Sequence, residues 1–361
     1  MLAEGDNELF IDSSNALFRR VFLGSVKGKK AVLLKEFLGD DSVPVRNAAG
    51  KAMVNQFVAF LIRKDPVYRH EEEKRPEYTL QRTFSLGSEW VYLKFYCGPK
   101  SADLILENGI APIVQVAEMN RWIDQWFFIR YNDPENHLRV RFHLTDTGFL
   151  RDFLRIIESW TGPFERNGLV WKIQADTYRR ELERYGYAAI EPVERLFHID
   201  SRMYLSFLRE TEGDERENLK WLWGLRNIDN LLHTAGFNTA GKKALMEKVR
   251  NRFAEEFKMD RDLKSQIDRR YRVCRRKIED FMSDTPGYLP VPPEGPLRNL
   301  WNEIREMAGH PPGFEHIVIS TIHMTVNRLI SSGQRLHELL MYDFLARHYT
   351  SRVAGKRVRV S

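Results

Sequence analysis

Two arginines and two histidines occur at every second position in one short stretch of the chain. They alternate with Leu, Val and Phe in the sequence HLRVRFH, residues 137–143, directly after an NDPEN turn. Side chains of a β-strand point to opposite faces in alternation, so residues 126–142 predict a hairpin whose second strand has a cationic and an apolar face. A guanidinium offers a planar fork of donors that matches a carboxylate or phosphate. The stretch therefore indicates anion binding, although a solvated edge strand whose arginines meet surface acids would show the same pattern.

A second cluster of charges follows in QADTYRRELERYG, residues 174–186. If this stretch is helical, Glu181 and Arg184 lie three positions apart on one face, close enough to pair. A carboxylate that holds an arginine fixes the direction of its fork, which helps the arginine to meet a substrate carboxylate or a developing oxyanion. An exposed, charged turn of helix would look the same.

A third stretch, EHIVISTIHMTVNRLI at residues 315–330, combines a wide apolar surface with polar stripes, so a buried helix is expected. One continuous polar line is formed by His316, Ser320, His323 and Asn327, and a second by Thr321, Thr325 and Arg328. Buried polar groups need partners, so the stripes predict a cavity or another polar surface beside this helix. His323 fits either a hydrogen-bonded core histidine or a group that transfers a proton near neutral pH.

Motifs of several other reaction classes do not occur in the sequence. There is no P-loop, no GxGxxG after a strand, no GxSxG elbow and no HExxH. Phosphoryl transfer, simple nucleotide redox chemistry and serine hydrolysis are therefore not expected. A site rich in arginine and histidine, without an obvious nucleophile or metal, suits anion binding combined with proton abstraction, as in an elimination or a cyclisation.

The overall composition is that of a globular protein with a modest positive charge. The chain has 361 residues, a formal net charge of +6 and two cysteines, Cys97 and Cys274, without metal-ligand spacing. This charge is small for a protein whose principal substrate is a nucleic acid, and the cysteines indicate a reducing compartment. No signal peptide and no apolar run of about 20 residues is present, so we expect a cytoplasmic bacterial protein without a membrane segment.

The pattern along the chain predicts an α+β protein with strands and a hairpin first and a largely helical second half. Strands are expected at 8–12, 30–38, 54–62, 89–96 and 168–174, beside the hairpin, and helices from about residue 101 and at 147–160. Further helices are expected near 190–210, 214–234, 240–257, 261–283, 297–308 and 315–349. The charged segment 64–82 contains two prolines and predicts a boundary, so we divide the chain into residues 1–85 and 86–361.

Five motifs in a fixed order give the chain a resemblance to a known family. They are GSEWVYLKFY (87–96), WFFIRYNDPENHLRVRF (126–142), QADTYRRELERYG (174–186), FHIDS (197–201) and STIHMTVNR (320–328). In this order they resemble the C-terminal glutamate-elimination domain of class I lanthipeptide dehydratases, which also occurs as a separate protein in thiopeptide pathways. The resemblance covers about residues 86–349, and the segment 1–63 looks like the tail of the family's glutamylation domain.

The resemblance implies a lyase that acts on a ribosomally made precursor peptide. A separate glutamylation protein would transfer glutamate from glutamyl-tRNA to Ser or Thr, so this chain is not expected to bind nucleic acid directly. The elimination domain would then remove the α-proton and expel glutamate, leaving dehydroalanine or dehydrobutyrine. No cofactor and no metal are implied. The residue that takes the α-proton stays open, as does the oligomeric state, for which a homodimer is one option.

Matching positions supply the expected site residues. The family's elimination residues correspond to Arg139, Arg141, Arg184 and His323. Around them we expect substrate contacts from Arg130, His137, Tyr178, Glu181 and Asn327. Tyr187 departs from the pattern, because the resemblance would place a second glycine there, which concerns the local turn rather than the assigned chemistry.

Two other functions compete with elimination. A pyridine synthase, which joins two dehydroalanines in a formal [4+2] cycloaddition, would keep an HLR-like strand but is expected to lose the DTYRRELERYG and HMTVNR signatures. Both signatures are present here. A non-catalytic peptide-binding subunit of a modification complex is the third option, and the retained arginines and His323 argue against it.

Overall fold

The computed structural model describes residues 1–4, 7–29, 31–35, 46–51, 80–308 and 313–358. The chain divides into two compact units, Met1–Lys74 and Arg75–Ser361. The strand expected at 54–62 and most of the segment 64–82 lie outside the described residues. Within the described part, strands precede a long series of helices, so the α+β prediction is confirmed.

In the residues that the structure describes, the first unit combines a small antiparallel sheet with one helix. Strands β1 (Leu2–Glu4), β2 (Asn7–Leu9) and β3 (Leu33–Leu34) pair in the order β2-β1-β3. They are shorter than the strands expected at 8–12 and 30–38. Helix α1 (Ala16–Val26) was not predicted, although Asn15 signals it, because the Asn15 side chain accepts the backbone N–H of Leu17 at 2.9 Å.

A four-stranded antiparallel sheet carries the predicted hairpin in the second unit. It consists of β5 (Trp90–Cys97), β6 (Ile123–Asn132), β7 (Asn136–Leu144) and β8 (Val170–Asp176) in the order β6-β7-β5-β8. The turn between β6 and β7 contains a cis peptide bond before Pro134. Leu138, Val140 and Phe142 are at most 1% exposed, so the apolar face of β7 belongs to the core as the alternation predicted.

Shorter elements surround this sheet. Before the hairpin come β4 (Thr83–Phe84), α2 (Ala102–Ile105), a π-helical turn (Leu106–Ile110) and α3 (Ala111–Met119); after it come a 3-10 turn (Thr147–Phe149) and α4 (Leu150–Arg166). The stretch 174–186 is not one helix. It ends β8, forms β9 (Tyr178–Arg179), which pairs with β4, and then makes the short helix α5 (Leu182–Tyr185).

Seven helices form the rest of the second unit as far as it is described. They are α6 (Ile190–Glu210), α7 (Gly213–Thr234), α8 (Thr239–Glu256), α9 (Arg261–Ser283), α10 (Glu294–Met307), α11 (Phe314–Leu329) and α12 (Gln334–Val358). The single helix expected at 315–349 is therefore wrong. Residues 330–333 interrupt it, because Ile330 is extended and Gly333 has a φ of +63°, a conformation that glycine adopts at little cost. None of the described helices is long and apolar enough to cross a membrane.

Candidate functional site

Arg141 lies in the middle of the cationic sheet face and is 8% exposed. Its guanidinium carbon is 4.4 Å from the ring centroid of Tyr92, 4.8 Å from that of Tyr178 and 5.2 Å from that of Phe127. The buried Nε has no hydrogen-bond partner, and no carboxylate forms an ion pair with Arg141 among the described residues. A buried cation without a counter-ion is costly, so this position favours an anion beside it.

Arg139 and His137 lie next to Arg141 on the same face of β7, as predicted. Arg139 Nε donates to His137 Nε2 at 3.0 Å, and the guanidinium carbon of Arg139 lies 3.3 Å from the ring centroid of Tyr131. Burial lowers the pKa of His137, and the charge of Arg139 lowers it further. The imidazole is therefore neutral near pH 7 and serves as an acceptor that holds the Arg139 fork in place.

A cavity of about 450 Å³ lies between α5, α8, α11 and α12. Arg184 and His323, two of the four predicted catalytic residues, line it together with His316 and Ser320. One of the two polar lines predicted on α11 thus faces a cavity. Arg139 and Arg141 are not among the residues that line it, so the structure brings together two pairs of predicted residues rather than all four in one cavity.

The imidazole of His323 is oriented by a buried carboxylate. Its Nδ1 lies 2.6 Å from Oε1 of Glu338, a residue of α12 whose side chain is fully buried. Gln334 and Arg335 also donate to the Glu338 carboxylate, at 2.8 and 3.0 Å. With its Nδ1–H donated to Glu338, the neutral ring keeps a lone pair on Nε2, which has no hydrogen-bond partner in the described part of the chain. This arrangement suits a base.

The arginines of this cavity differ in how far their charge is neutralised. Arg335 pairs with Glu256 and Glu338, and Arg184 pairs only loosely with Glu181 at 3.5 Å. Arg252 forms no ion pair with the described residues. The cavity therefore offers an oriented imidazole beside cationic charge that a ligand carboxylate could use.

The C-terminal end of α11 meets the free edge of β6 through Arg328 of the second polar line and Asn327 of the first. Arg328 donates from Nε to the carbonyl of Phe128 at 2.9 Å and pairs through Nη1 with Asp200 of α6 at 2.8 Å. The Asn327 amide accepts the Arg130 N–H and donates to the Arg130 carbonyl, both at 2.9 Å. These side chains replace the missing neighbouring strand, so they seal an edge that would otherwise expose backbone groups.

Helix α6 completes this seal from the FHIDS stretch. The backbone N–H of Trp126 donates to His198 Nδ1 at 3.1 Å, and that of Phe128 donates to Ser201 Oγ at 3.2 Å. Burial lowers the pKa of His198 to about 4. The FHIDS and HMTVNR stretches therefore hold the hairpin against the helices, a role that their composition did not reveal.

All five expected substrate contacts have protein partners, and for His137 and Glu181 these partners are the predicted catalytic residues Arg139 and Arg184. Arg130 is 8% exposed, pairs with Asp103 and donates to the Arg328 carbonyl. Tyr178 is 6% exposed and donates its hydroxyl to Glu194 at 2.6 Å. Asn327 holds the edge of β6. Their predicted contact with substrate stays a prediction without support from these hydrogen bonds, whereas His137 and Glu181 lie beside predicted catalytic arginines.

Aromatic rings connect the cationic face to the cavity. The Tyr185 ring centroid is 5.4 Å from that of Phe197, which in turn is 5.5 Å from that of Phe127 under Arg141. On the other side, the guanidinium carbon of Arg184 is 5.6 Å from the Tyr185 ring. Burial raises the pKa of Tyr185, and the charges of Arg184 and Arg141 both oppose this rise, so both cations act on the same hydroxyl.

Glu338, Arg335 and Arg252 were not predicted from the sequence. They come from α8 and α12 and reach the site only through the long-range packing of these helices. A buried Glu within the apolar stretch LHELLMYDFL was the one available signal. No group of three or more His, Cys, Asp or Glu side chains that could hold a metal ion occurs in the described part.

Comparison with known proteins identifies the family of this fold. The sequence model described as "Lantibiotic biosynthesis dehydratase C-term" matches residues 90–349. The subtilin biosynthesis protein SpaB of Bacillus subtilis is 25% identical over 287 residues, which cover 74% of this chain and 26% of SpaB. The chain spans about a quarter to a third of the length of the curated relatives it matches.

Solved structures share the fold at low sequence identity. The tRNA-dependent lantibiotic dehydratase MibB from Microbispora sp. 107891 aligns with a TM-score of 0.58 and 24% identity over 74% of this chain and 29% of MibB. The pyridine synthase TbtD from thiomuracin biosynthesis aligns with a TM-score of 0.54 and 16% identity over 73% of this chain and 99% of TbtD. The chain belongs to the lantibiotic biosynthesis dehydratase C-terminal family.

Proposed function

We propose that this chain takes part in the dehydration of Ser and Thr residues in a ribosomally made precursor peptide, and that its step is the elimination of glutamate from a glutamylated side chain. A separate glutamyl-tRNA-dependent protein would supply the glutamylated peptide, and the reaction would take place in the cytoplasm. The proposal follows from the family, from an oriented imidazole in a cavity lined by Arg184, and from a sheet face whose Arg141 forms no ion pair with the described residues.

The reaction requires a base and two anion-stabilising positions. The base removes the proton from Cα of the glutamylated residue, the Cα=Cβ double bond forms, and the Cβ–O bond to the ester breaks. Glutamate leaves as a carboxylate, and no electron donor or acceptor is required. Negative charge develops first on the carbonyl oxygen of the modified residue and then on the departing carboxylate, where preorganised guanidiniums have their largest effect.

The observation that carries the proposal is the contact between His323 and Glu338 in the cavity lined by Arg184. Glu338 holds Nδ1–H, so Nε2 is the nitrogen that can accept a proton in the cavity. We assign His323 Nε2 to proton transfer and Arg184 to a carboxylate of the glutamyl group. Glu181 acts on Arg184 as a positioning residue.

Arg141 and Arg139 supply the second part of the proposed site. Arg141 has no counter-ion among the described residues, and Arg139 is held by His137, so both can bind an anion without first breaking an ion pair in this part of the chain. We assign them to the developing negative charge or to the substrate peptide's carboxylates. The aromatic connection through Tyr185 joins this face to the cavity.

A pyridine synthase is the second candidate, because the alignment with TbtD covers nearly the whole of that enzyme. A fold shared at 16% identity does not determine the reaction. Elimination is favoured because Arg184 and His323, from the two signatures that a pyridine synthase is expected to lose, line the same cavity. A non-catalytic peptide-binding role would leave the orientation of His323 by Glu338 without a function.

The test follows the mass of a synthetic peptide that carries the matching leader and one glutamyl-Ser residue. We expect loss of one glutamic acid and the appearance of dehydroalanine. His323→Ala should abolish this change, whereas His316→Ala is a matched control, because His316 lines the same cavity without a bond to Glu338. Arg139→Ala, Arg141→Ala and Arg184→Ala should leave the glutamylated peptide to accumulate.

The remaining outcomes separate the alternatives. If the mass does not change, the same protein is given a peptide with two dehydroalanines, and ring formation would identify a pyridine synthase. Inertness toward both peptides, together with binding of the leader, would identify a non-catalytic subunit. Full activity of His323→Ala would remove the imidazole from the proposed mechanism.

A further inference from the structure

Tyr342 of α12 lines the cavity of His323. Glu338 lies four positions before it on the helix, and Arg335 lies three positions before Glu338, so the three side chains share one face of α12. That face borders the cavity, because Arg335 also lines it and Glu338 contacts His323 at 2.6 Å. Tyr342 therefore lies within the candidate site.

The ring of Tyr342 is tightly packed, whereas its hydroxyl is not bonded. Tyr342 is 1% exposed, and its ring centroid lies 5.3 Å from that of Phe253 in an edge-to-face contact. The hydroxyl has no hydrogen-bond partner among the described residues. It also does not belong to the unbonded polar atoms of these residues that are closed off from water. The small accessible surface of Tyr342 therefore includes its hydroxyl, and we infer that this group reaches the open space of the cavity.

Buried tyrosine hydroxyls usually have a hydrogen-bond partner in the protein. Three other buried tyrosines donate to carboxylates of the chain: Tyr178 to Glu194 at 2.6 Å, Tyr204 to Asp103 at 2.9 Å and Tyr349 to Asp229 at 2.7 Å. Tyr342 differs from these three, because its ring is packed equally well but its hydroxyl is left accessible and unbonded. This difference indicates that the acceptor for Tyr342 belongs to a ligand of the cavity.

The hydroxyl of Tyr342 is a neutral hydrogen-bond donor. Burial raises the pKa of Tyr342 well above its usual value, and the charge of Glu338 raises it further, against the opposing charge of Arg335. The phenol therefore keeps its proton near pH 7 and can donate it in a hydrogen bond to a ligand oxygen.

The charges around the cavity favour an anionic ligand. Arg184, Arg252 and Arg335 line it. The acidic residue among the lining residues of the described part is Glu183, which already pairs with Arg82 at 2.6 Å. Hydrogen bonds to an ionised acceptor are stronger than those between neutral groups, so a carboxylate is the acceptor that suits both the guanidiniums and the phenol.

We propose that the Tyr342 hydroxyl is a substrate-recognition group that binds the free carboxylate of the glutamyl group together with Arg184. A glutamyl group attached through one carboxyl keeps one free carboxylate, which the bond-breaking step does not change. The inference rests on the proposed elimination and adds a residue that recognises the substrate rather than one that moves a proton. Since the hydrogen bond is equally strong before and during the reaction, it lowers KM and leaves kcat unchanged.

The first measurement does not require turnover. The full chain is labelled with ¹³C at tyrosine Cζ, whose chemical shift responds to hydrogen bonding of the hydroxyl, and Tyr342→Phe assigns the signal. On titration with L-glutamate we expect a saturable shift of the Tyr342 signal, and at least tenfold weaker binding of the diamide of glutamic acid. By calorimetry, Tyr342→Phe should bind L-glutamate about tenfold more weakly than the wild type. Tyr271→Phe is the matched control, because Tyr271 of α9 has an unbonded hydroxyl in the described part but does not line this cavity.

The second measurement is the steady-state elimination of glutamate from the glutamyl-Ser peptide. Tyr342→Phe should raise KM about tenfold at unchanged kcat and melting temperature, and Tyr271→Phe should change none of the three. An unmoved Tyr342 signal, equal binding of L-glutamate by the wild type and Tyr342→Phe, or a fall in kcat at constant KM would overturn the inference while leaving elimination intact. A saturable, Tyr342-dependent binding of L-glutamate by a protein that does not eliminate would support the carboxylate contact and refute the proposed reaction instead.

Discussion

The sealed edge of β6 and the cavity of His323 both take polar residues from α11, yet they differ in how these polar groups are used. At the edge, Asn327 and Arg328 direct their hydrogen bonds to backbone groups of β6 and to Asp200. In the cavity, one turn earlier on α11, His323 Nε2 has no hydrogen-bond partner among the described residues. The comparison teaches that a polar side chain in a buried helix is available for binding or catalysis only where its hydrogen-bonding atoms are not already bonded within the protein.

Arg328→Met should have the largest effect at the sealed edge, and that effect should be on stability. Arg328 is 1% exposed, and burial raises the pKa of its partner Asp200 despite the ion pair. Removal of one partner from a buried pair leaves an uncompensated charge, at a cost of about 3–5 kcal/mol. Urea unfolding of the variant measures this loss directly.

The matched control is the double variant Arg328→Met with Asp200→Leu. It removes both charges, so it should recover a large part of the lost stability. If the single variant is as stable as the wild type, the edge is not held by this pair, and the contrast with the cavity fails.

Arg141→Met should affect turnover rather than stability. Because Arg141 has no counter-ion in the described part of the chain, the variant should fold normally. Elimination should slow about 10²–10³-fold if its guanidinium stabilises developing charge. Turnover of glutamylated peptide and the melting temperature are measured together. Arg179→Met, an exposed neighbour on β9, is the control and should show neither effect.

A fall in the stability of Arg141→Met comparable to that of Arg328→Met would assign Arg141 to the architecture. The distinction between arginines with and without an ion pair in the protein would then not separate structural from functional residues on the sheet face.

The stability of the sealed edge should depend on pH through His198. In the folded protein burial lowers the pKa of His198 to about 4 from 6.5. Between these values only the unfolded chain binds the proton, so the free energy of unfolding should decrease as the pH falls from 6.5 to about 4, by up to about 3 kcal/mol. Unfolding by urea across this range tests the prediction.

His198→Asn isolates this contribution, because an Asn side chain can still accept the Trp126 N–H but does not titrate. The variant should lose less stability than the wild type on acidification. If the free energy of unfolding changes equally with pH in the two proteins, burial does not lower the pKa of His198 in the folded protein, and the prediction is wrong.

Asn327→Ala should have the smallest effect of the four. It leaves the N–H and carbonyl of Arg130 without their partners, which costs about 1–3 kcal/mol for a buried group. Amide hydrogen exchange at Arg130 should increase, while elimination by the folded variant should persist. Loss of activity without loss of stability would instead support the predicted substrate contact of Asn327.

The sequence predicted what depends on local periodicity. The alternation at 137–143 placed His137, Arg139 and Arg141 on one face of β7, because a strand repeats every two residues whatever surrounds it. The polar stripes on α11 followed for the same reason from the helical repeat. The break at 330–333 was missed because apolar stretches lie on both sides of it, although Ser331, Ser332 and Gly333 interrupt the apolar pattern there.

The sequence could not predict which polar residues would find a hydrogen-bond or ion-pair partner within the fold. Arg130, Arg139 and Arg141 look alike in the stretch WFFIRYNDPENHLRVRF, yet Arg130 pairs with Asp103, 27 residues earlier, and Arg141 has no acidic partner in the described part. Glu338 likewise reaches His323 only because α12 folds back against α11. Such pairings are tertiary, and no spacing rule within one element gives them.

The sealing of the β6 edge has a consequence for how this fold can change over evolutionary time. The contacts that seal this edge come from Asn327, Arg328, Ser201 and His198. None of these contacts involves the predicted catalytic arginines or His323. Residues 139, 141, 184 and 323 can therefore be exchanged without releasing the hairpin from the helices. A scaffold of this kind can adopt a new reaction by side-chain replacement alone.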